Sequence, residues 1–259
     1  MERASSAFTP TVLEQWQRRE NLLPGIALLV LAVAGWAYVI RQTSTMGGMA
    51  MDMRSAPVFL FGWTAMMVAM MVPATLPLIL LYRTIARNRL DPFRARIGTM
   101  VLLAGYVAVW AVAGVPVFGY GLFAEMAGSA GTLLPGLLLI AGGVYQFTGL
   151  KGDCHARCST PLFFLMQNWR PGASGALRLG ALHGIDCLGC CAGLMVGLVA
   201  LGMMNLAWML TAAVIIFAEK TIPGSHRIAR PLGIVMVGGG VVLLAISLLG
   251  GMSPGMESM

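Results

Sequence analysis

Seven apolar stretches, each about long enough to cross a membrane, constrain the fold of this sequence more than any other feature. A helix needs about 20 mostly apolar residues to cross roughly 30 Å of hydrocarbon. A helix also satisfies its backbone hydrogen bonds within one segment, which a lipid environment demands. We therefore predict an all-α, polytopic transmembrane helix bundle with about seven spans. The predicted spans cover residues 22–40, 57–82, 97–118, 132–150, 173–201, 206–222 and 232–249.

The composition excludes the common soluble classes of protein. Of the 259 residues, 58% are hydrophobic and only 10% are charged, whereas an average soluble chain carries about 25% charged residues. This excludes an ordinary soluble enzyme, a disordered chain and a nucleic-acid-binding domain. We therefore expect the lipid bilayer, and no nucleic acid, among the partners of the chain.

The positive charges predict the orientation of the bundle. Lys and Arg collect in the cytoplasmic loops of membrane proteins. If the N-terminus is cytoplasmic, every Lys and Arg except Arg41 and Arg54 falls on the cytoplasmic side. We therefore predict a cytoplasmic N-terminal segment (residues 1–21), a transmembrane bundle (22–250) and a Met-containing outer tail (251–259).

Methionines crowd the first predicted outer loop. Thioether sulfur is a soft ligand that prefers Cu(I) to hard ions such as Mg²⁺. The loop therefore predicts capture of a metal ion outside the membrane, although methionine is also an adaptable hydrophobic residue. We call these residues the outer methionines: Met46, Met49, Met51 and Met53.

The second predicted span carries a second group of methionines at helical spacing. A row of thioethers on one helix face would let Cu(I) pass inward, and ordinary packing is the alternative explanation. We call this group the methionine stripe: Met66, Met67, Met70 and Met71.

All 5 cysteines lie between positions 154 and 191. Cys154 and Cys158 are one helical turn apart, and so are Cys187 and Cys190. Free cysteine is often a small buried hydrophobic residue, but this pairing, with a histidine and an aspartate beside it, predicts a metal site. The candidate ligands are Cys154, Cys158, His183, Asp186, Cys187, Cys190 and Cys191.

Asp186 supports this interpretation, because an ionisable residue within a span indicates a functional site by default. Its partner is expected to be Arg157, Arg178 or a bound metal cation. Toward the inner end of the sixth predicted span, Glu219 and Lys220 are expected to form an interfacial ion pair, with Lys220 extending to water.

The choice of metal rests on the sulfur ligands. Thiolates near thioethers favour Cu(I), whereas tetrahedral sets of cysteines also suit Zn²⁺ or an iron–sulfur centre. Because the outer methionines add thioethers, we predict copper as Cu(I), with zinc and iron–sulfur as the alternatives.

In combination, these landmarks resemble a bacterial family of predicted metal-binding integral membrane proteins, catalogued as a domain of unknown function. The resemblance covers about residues 60–225 and implies metal binding in a multi-pass protein of the bacterial inner membrane, with no established activity. Two positions that are usually aromatic in that family are Asp186 and Ala192 here. The matching landmarks are the segment 66–73, Tyr145-Gln146, Lys151, Cys154 with Cys158, His183-Gly184, the segment 187–191, the segment 202–205 and Glu219-Lys220.

Three functions follow from these features. The first is an integral membrane protein that binds, delivers or transports Cu(I), with a metallochaperone or assembly protein as partner. The second is a membrane thiol–disulfide oxidoreductase that cycles the same cysteine pairs, so enzymatic activity is left open. The third is a scaffold or assembly subunit that docks a partner through Gly238-Gly239-Gly240 in the seventh predicted span.

Overall fold

The computed structural model describes residues 19–45, 55–202, 206–221 and 226–250, and every regular element within them is helical. The helices are α1 (Arg19–Thr45), α2 (Ala56–Arg89), α3 (Pro92–Met126), α4 (Leu134–Tyr145), α5 (Gly149–Ser159), α6 (Pro161–Asn168), α7 (Gly172–Leu201), α8 (Leu206–Thr221) and α9 (His226–Gly250), with a 3-10 turn at Gly128–Leu133 before α4.

Two predicted features lie outside the described residues. They are the outer methionines, at positions 46 to 53, and the methionines of the outer tail, at positions 252, 256 and 259. Most of the predicted N-terminal segment lies outside them as well. Metal capture at these positions stays a prediction.

The prediction of a transmembrane helical bundle is confirmed. Helices α2, α3 and α7, together with Ala229–Leu249 of α9, are long and apolar enough to cross a membrane. A fifth crossing is formed if the bent pair Gly131–Tyr145 and Gly149–Ser159 acts as one broken span. The described residues therefore support four to five crossings.

The other two predicted spans, residues 22–40 and 206–222, correspond to α1 and α8, which are not among these candidate crossings. The apolar part of α1 covers Gly25–Tyr38, and α8 has 16 residues, which corresponds to about 24 Å of helix. The count of seven spans and the cytoplasmic N-terminus stay predictions.

The fourth predicted span is not one continuous helix. After Tyr145, three successive amides donate to carbonyls three residues earlier, so the end of α4 tightens and stops. Thr148 then caps a new helix, because its side chain accepts a hydrogen bond from the amide of Lys151. The chain bends by 67° at this point. Cys154 and Cys158 therefore lie on a separate short helix, α5, and not at the end of the fourth predicted span.

Glycines let α3 and α7 approach each other closely. A Cβ on Gly180 would overlap the carbonyl oxygen of Leu102, and one on Gly184 would lie 3.0 Å from the Cβ of Val109. Small residues at such contacts allow membrane helices to pack backbone against backbone. This close packing places Tyr106 of α3 directly against the cysteine-bearing face of α7.

One buried core contains most of the sulfur atoms that the structure describes. The core joins α2, α3, α4, α5, α7, α8 and α9, and it includes the five cysteines as well as the methionine stripe. The two sulfur-rich features of the sequence therefore share one interior.

Candidate metal site

Four cysteine side chains from two helices meet in this core. Cys158 of α5 lies beside the side chains of Cys187 and Cys190 of α7 in this core. Cys187 also interacts with Cys191. All four are buried, and Cys187 is 0% exposed. We call Cys158, Cys187, Cys190 and Cys191 the thiol cluster.

Two polar side chains from other helices contact the sulfur of Cys187. The ammonium group of Lys220, on α8, donates to it at 2.8 Å. The hydroxyl of Tyr106, on α3, lies 3.1 Å from the same sulfur. Cys187 is therefore the centre of the cluster, with contacts from three other helices.

The expectation that Lys220 extends to water is wrong. Its ammonium group points inward to Cys187. Glu219 forms a buried ion pair with Lys151 at 3.0 Å instead of the predicted interfacial one. The reason is that both side chains find partners inside the bundle: Lys151 of α5 for Glu219, and Cys187 of α7 for Lys220.

The thiols of Cys190 and Cys191 are directed at the backbone of their own helix. They donate to the carbonyl oxygen of Cys187 at 3.1 Å and 2.8 Å respectively. Such bonds satisfy a thiol when no ion is bound, and rotation about the Cα–Cβ bond releases it.

Cys154 lies at the margin of the thiol cluster. It is buried, but it packs on Gly189, where an added Cβ would lie 2.5 Å from its sulfur. The guanidinium of Arg157 is 3.5 Å from the same sulfur. Arg157 also donates to a carboxylate oxygen of Asp186 at 2.8 Å. Of the three expected partners of Asp186, the structure therefore gives Arg157.

His183 occupies an aromatic niche one turn before Cys187 on α7. It is 3% exposed, and its ring centre lies 5.9 Å from that of Tyr106 and 5.2 Å from that of Phe164. Its Nδ1 atom is buried and has no hydrogen-bond partner among the described residues. A buried nitrogen without a partner is costly, and in the tautomer with Nδ1 unprotonated this atom would offer its lone pair to a metal ion.

Within the described part of the chain, no group of three or more Cys, His, Asp or Glu side chains has the arrangement of a metal site. The thiols instead contact one another, Lys220, Tyr106 and the backbone. A tetrahedral Zn²⁺ site needs four ligands, which this arrangement does not present. Cu(I) is a soft ion that is stable with as few as two sulfur ligands, and the convergence of Cys158 with Cys187 and Cys190 suits such a site.

The methionine stripe is fully enclosed by the bundle. Met66, Met67 and Met71 are 0% exposed, and Met70 is 5% exposed. They belong to the same buried core as Trp63 and the cysteines. The stripe therefore faces the interior that holds the thiol cluster. Packing and passage of Cu(I) both require such burial, so the arrangement agrees with both explanations of the stripe.

Sequence reasoning missed two contacts of the site. Tyr106 has no local motif, and it is 81 positions from Cys187 in the chain. The pair of Lys151 with Glu219 joins residues 68 positions apart, and Gln146 also accepts a hydrogen bond from Lys151. The available signal was the presence of ionisable residues in apolar segments, which indicates buried partners.

Comparison with known proteins supports the copper assignment. Residues 60–243 match a family model described as PpoB2, copper chaperone. No curated protein and no solved structure matches the chain. The predicted relation to copper is thus confirmed at the level of the family, while membership of the family of unknown function stays a prediction. With most of its length matched and with helices able to span a membrane, the chain belongs to the PpoB2 copper chaperone family.

Proposed function

We propose that this protein takes up Cu(I) from outside the membrane, holds it in the thiol cluster and delivers it to a partner. The observation that supports this most is the convergence of Cys158 on α5 with Cys187 and Cys190 on α7. Copper is the cargo of the protein, and the family to which the chain belongs is described as copper chaperones.

The sulfur atoms suit Cu(I) chemically. Thiolates and thioethers select Cu(I) over hard ions, and thiolates bind it more strongly because they are charged. We assign Cys158 and Cys187 as the two thiolate ligands. Cys190, Cys191 and His183, which lie within about one turn of Cys187 on α7, would add neutral donor atoms and leave the charge of the site unchanged.

Two of the predicted ligands receive a different role. Arg157 occupies the carboxylate of Asp186 and also approaches the sulfur of Cys154. Through these contacts with Arg157, Asp186 and Cys154 would anchor α5 against α7 and so hold Cys158 over the cluster. Their effect on the metal is therefore through the position of Cys158.

The methionines supply a route. The outer methionines would collect Cu(I), and the methionine stripe would pass it to the thiol cluster through the shared core. Neutral thioethers bind and release the ion without exchanging protons. With the N-terminus cytoplasmic, the ion would leave on the cytoplasmic side of the bacterial inner membrane, toward a metallochaperone or assembly protein.

Metal analysis of the purified full chain tests this function. We expect about one Cu(I) per chain after anaerobic loading, and its loss from the variant Cys187→Ser, Cys190→Ser, because the thiolate of α7 and the cysteine one turn after it in the cluster are gone. The variant Met166→Leu removes a sulfur atom that is 73% exposed on α6 and serves as the matched control. Absence of copper from the parent, or equal copper in parent and double variant, would refute the proposal.

A thiol–disulfide oxidoreductase is the second candidate, because Cys158 and Cys187 lie beside each other in the same buried core. It predicts a thiol count that changes with redox buffer and no bound copper. For the scaffold alternative, Gly240 packs within the molecule, where an added Cβ would lie 2.7 Å from the carbonyl oxygen of Gly136 on α4, whereas a Cβ on Gly238 would meet open space, so Gly238 is the glycine that a partner could contact.

A further inference from the structure

The side chain of Lys220 is half-buried, and its ammonium group places a positive charge against the thiol cluster. It lies 2.8 Å from the sulfur of Cys187. The thiols of Cys158 and Cys190 and the hydroxyl of Tyr106 also lie near it, so α3, α5 and α7 all present polar atoms to it. In the described part of the chain, these groups are sulfur and phenol, not carboxylate.

The carboxylates nearby are bound by other cations. Glu219 holds Lys151 at 3.0 Å, and Asp186 holds Arg157 at 2.8 Å. A buried charge is expensive unless an opposite charge is close to it. The negative charge that balances Lys220 must therefore come from the thiol cluster.

This requirement discriminates between ions of different charge. A monovalent ion held by two thiolates forms a unit with one net negative charge, which Lys220 balances. A divalent ion with the same two thiolates is neutral and leaves Lys220 uncompensated. It reaches balance only by recruiting a third thiolate, and the described residues present no three-ligand group.

We propose that Lys220 is a specificity-determining residue that makes the thiol cluster select soft monovalent ions over soft divalent ions. This inference rests on the proposed function, in which the cluster binds metal. Lys220 acts through its fixed charge and its contact with Cys187, and it is not itself a metal ligand.

Competition between Ag(I) and Cd(II) tests this role, because both ions are soft and differ in charge. The purified full chain is equilibrated anaerobically with the two ions together, and the ratio of bound silver to bound cadmium is measured. We expect Lys220→Met to lower this ratio by about tenfold or more, and Lys220→Gln to act in the same direction. Lys220→Arg keeps the charge and should keep the ratio near that of the parent.

Arg178→Gln is the matched control, since it removes a positive charge from the exposed surface of α7. Because a ratio is measured, molecules that fail to fold and bind neither ion do not affect the result. An unchanged or increased ratio in both neutral variants would overturn the role of Lys220 while leaving copper binding intact. A parent chain that binds neither ion would instead refute the proposed function.

Discussion

The thiol cluster and the methionine stripe are both rich in sulfur and lie in the same buried core, yet their surroundings are opposite. Around the cluster, an ammonium group, a phenol and backbone carbonyls contact the sulfur atoms. The stripe shares the core with apolar side chains, and Trp63, which lies one turn before Met66 and Met67 on α2, packs on the same helix face. The polar surroundings allow thiolates to exist and hold an ion, whereas the apolar ones suit neutral thioethers that let an ion pass.

The largest expected effect comes from the charges beside the cluster. Lys151 and Glu219 are 5% and 4% exposed, so Lys151→Met leaves a buried carboxylate without its lysine. We expect this variant to lose about 3–5 kcal/mol of unfolding free energy. Denaturant unfolding in detergent measures this loss.

The double variant Lys151→Met, Glu219→Gln is the control for this prediction. Removal of both charges leaves no uncompensated one, so part of the stability should return. If the single and double variants unfold at the same denaturant concentration, the loss of stability does not come from an unpaired buried carboxylate at Glu219, and the prediction is wrong.

The two cysteines of α5 provide the next test, because they differ in the direction they face. Cys158 belongs to the thiol cluster and Cys154 to its margin. We expect Cys158→Ser to weaken Cu(I) binding on the order of 100-fold, and Cys154→Ser to weaken it about tenfold or less. Competition with a coloured Cu(I) chelator measures both affinities. Equal losses in the two variants would show that the ion does not bind where Cys158 meets α7.

A smaller effect is expected from Tyr106→Phe, which removes only the hydroxyl that lies 3.1 Å from the sulfur of Cys187. The loss of one buried hydrogen bond costs about 1 kcal/mol. Because the hydroxyl would also contact the sulfur in the copper-loaded site, we expect Cu(I) affinity to fall about fivefold. Affinity and unfolding are measured together. A change in stability with unchanged affinity would limit Tyr106 to packing.

The spans were predictable from the sequence wherever one apolar run forms one helix. The prediction of 173–201 agrees within one residue with α7 (Gly172–Leu201). Pro171 marks the start of this helix, and the apolar run sets its length. The bend after Tyr145 was not predicted, because the apolar run continues to Leu150. The helix cap at Thr148 decides the local structure there, and hydropathy does not register a cap.

The site was predictable only in part, for a similar reason. Spacing along α7 placed Cys187 and Cys190 one turn apart. It gave no information on which cysteine of α5 would face them, because that depends on the bend at Thr148. Tyr106 and Lys220 reach Cys187 from helices that are distant in sequence, and only close packing such as that at Gly180 brings them there.

The smallest expected change in stability separates the two possible roles of the methionine stripe. Met67→Leu keeps nearly the same volume and removes only the sulfur, so unfolding free energy should change by less than about 1.5 kcal/mol. The thiol cluster should still bind Cu(I) with the affinity of the parent. Loading of the cluster by Cu(I) added outside vesicles should slow severalfold if the thioether carries the ion, which a time course of bound copper measures.

Met166→Leu is the control, because it makes the same chemical change on the exposed side of α6. Slower loading in Met67→Leu alone would assign ion passage to the stripe, since packing is preserved in both variants. If Met67→Leu and a variant with all four stripe methionines replaced by leucine both load copper at the rate of the parent, the stripe has a packing role only. In that case the polar surroundings of sulfur, and not its abundance, would mark the residues that handle copper.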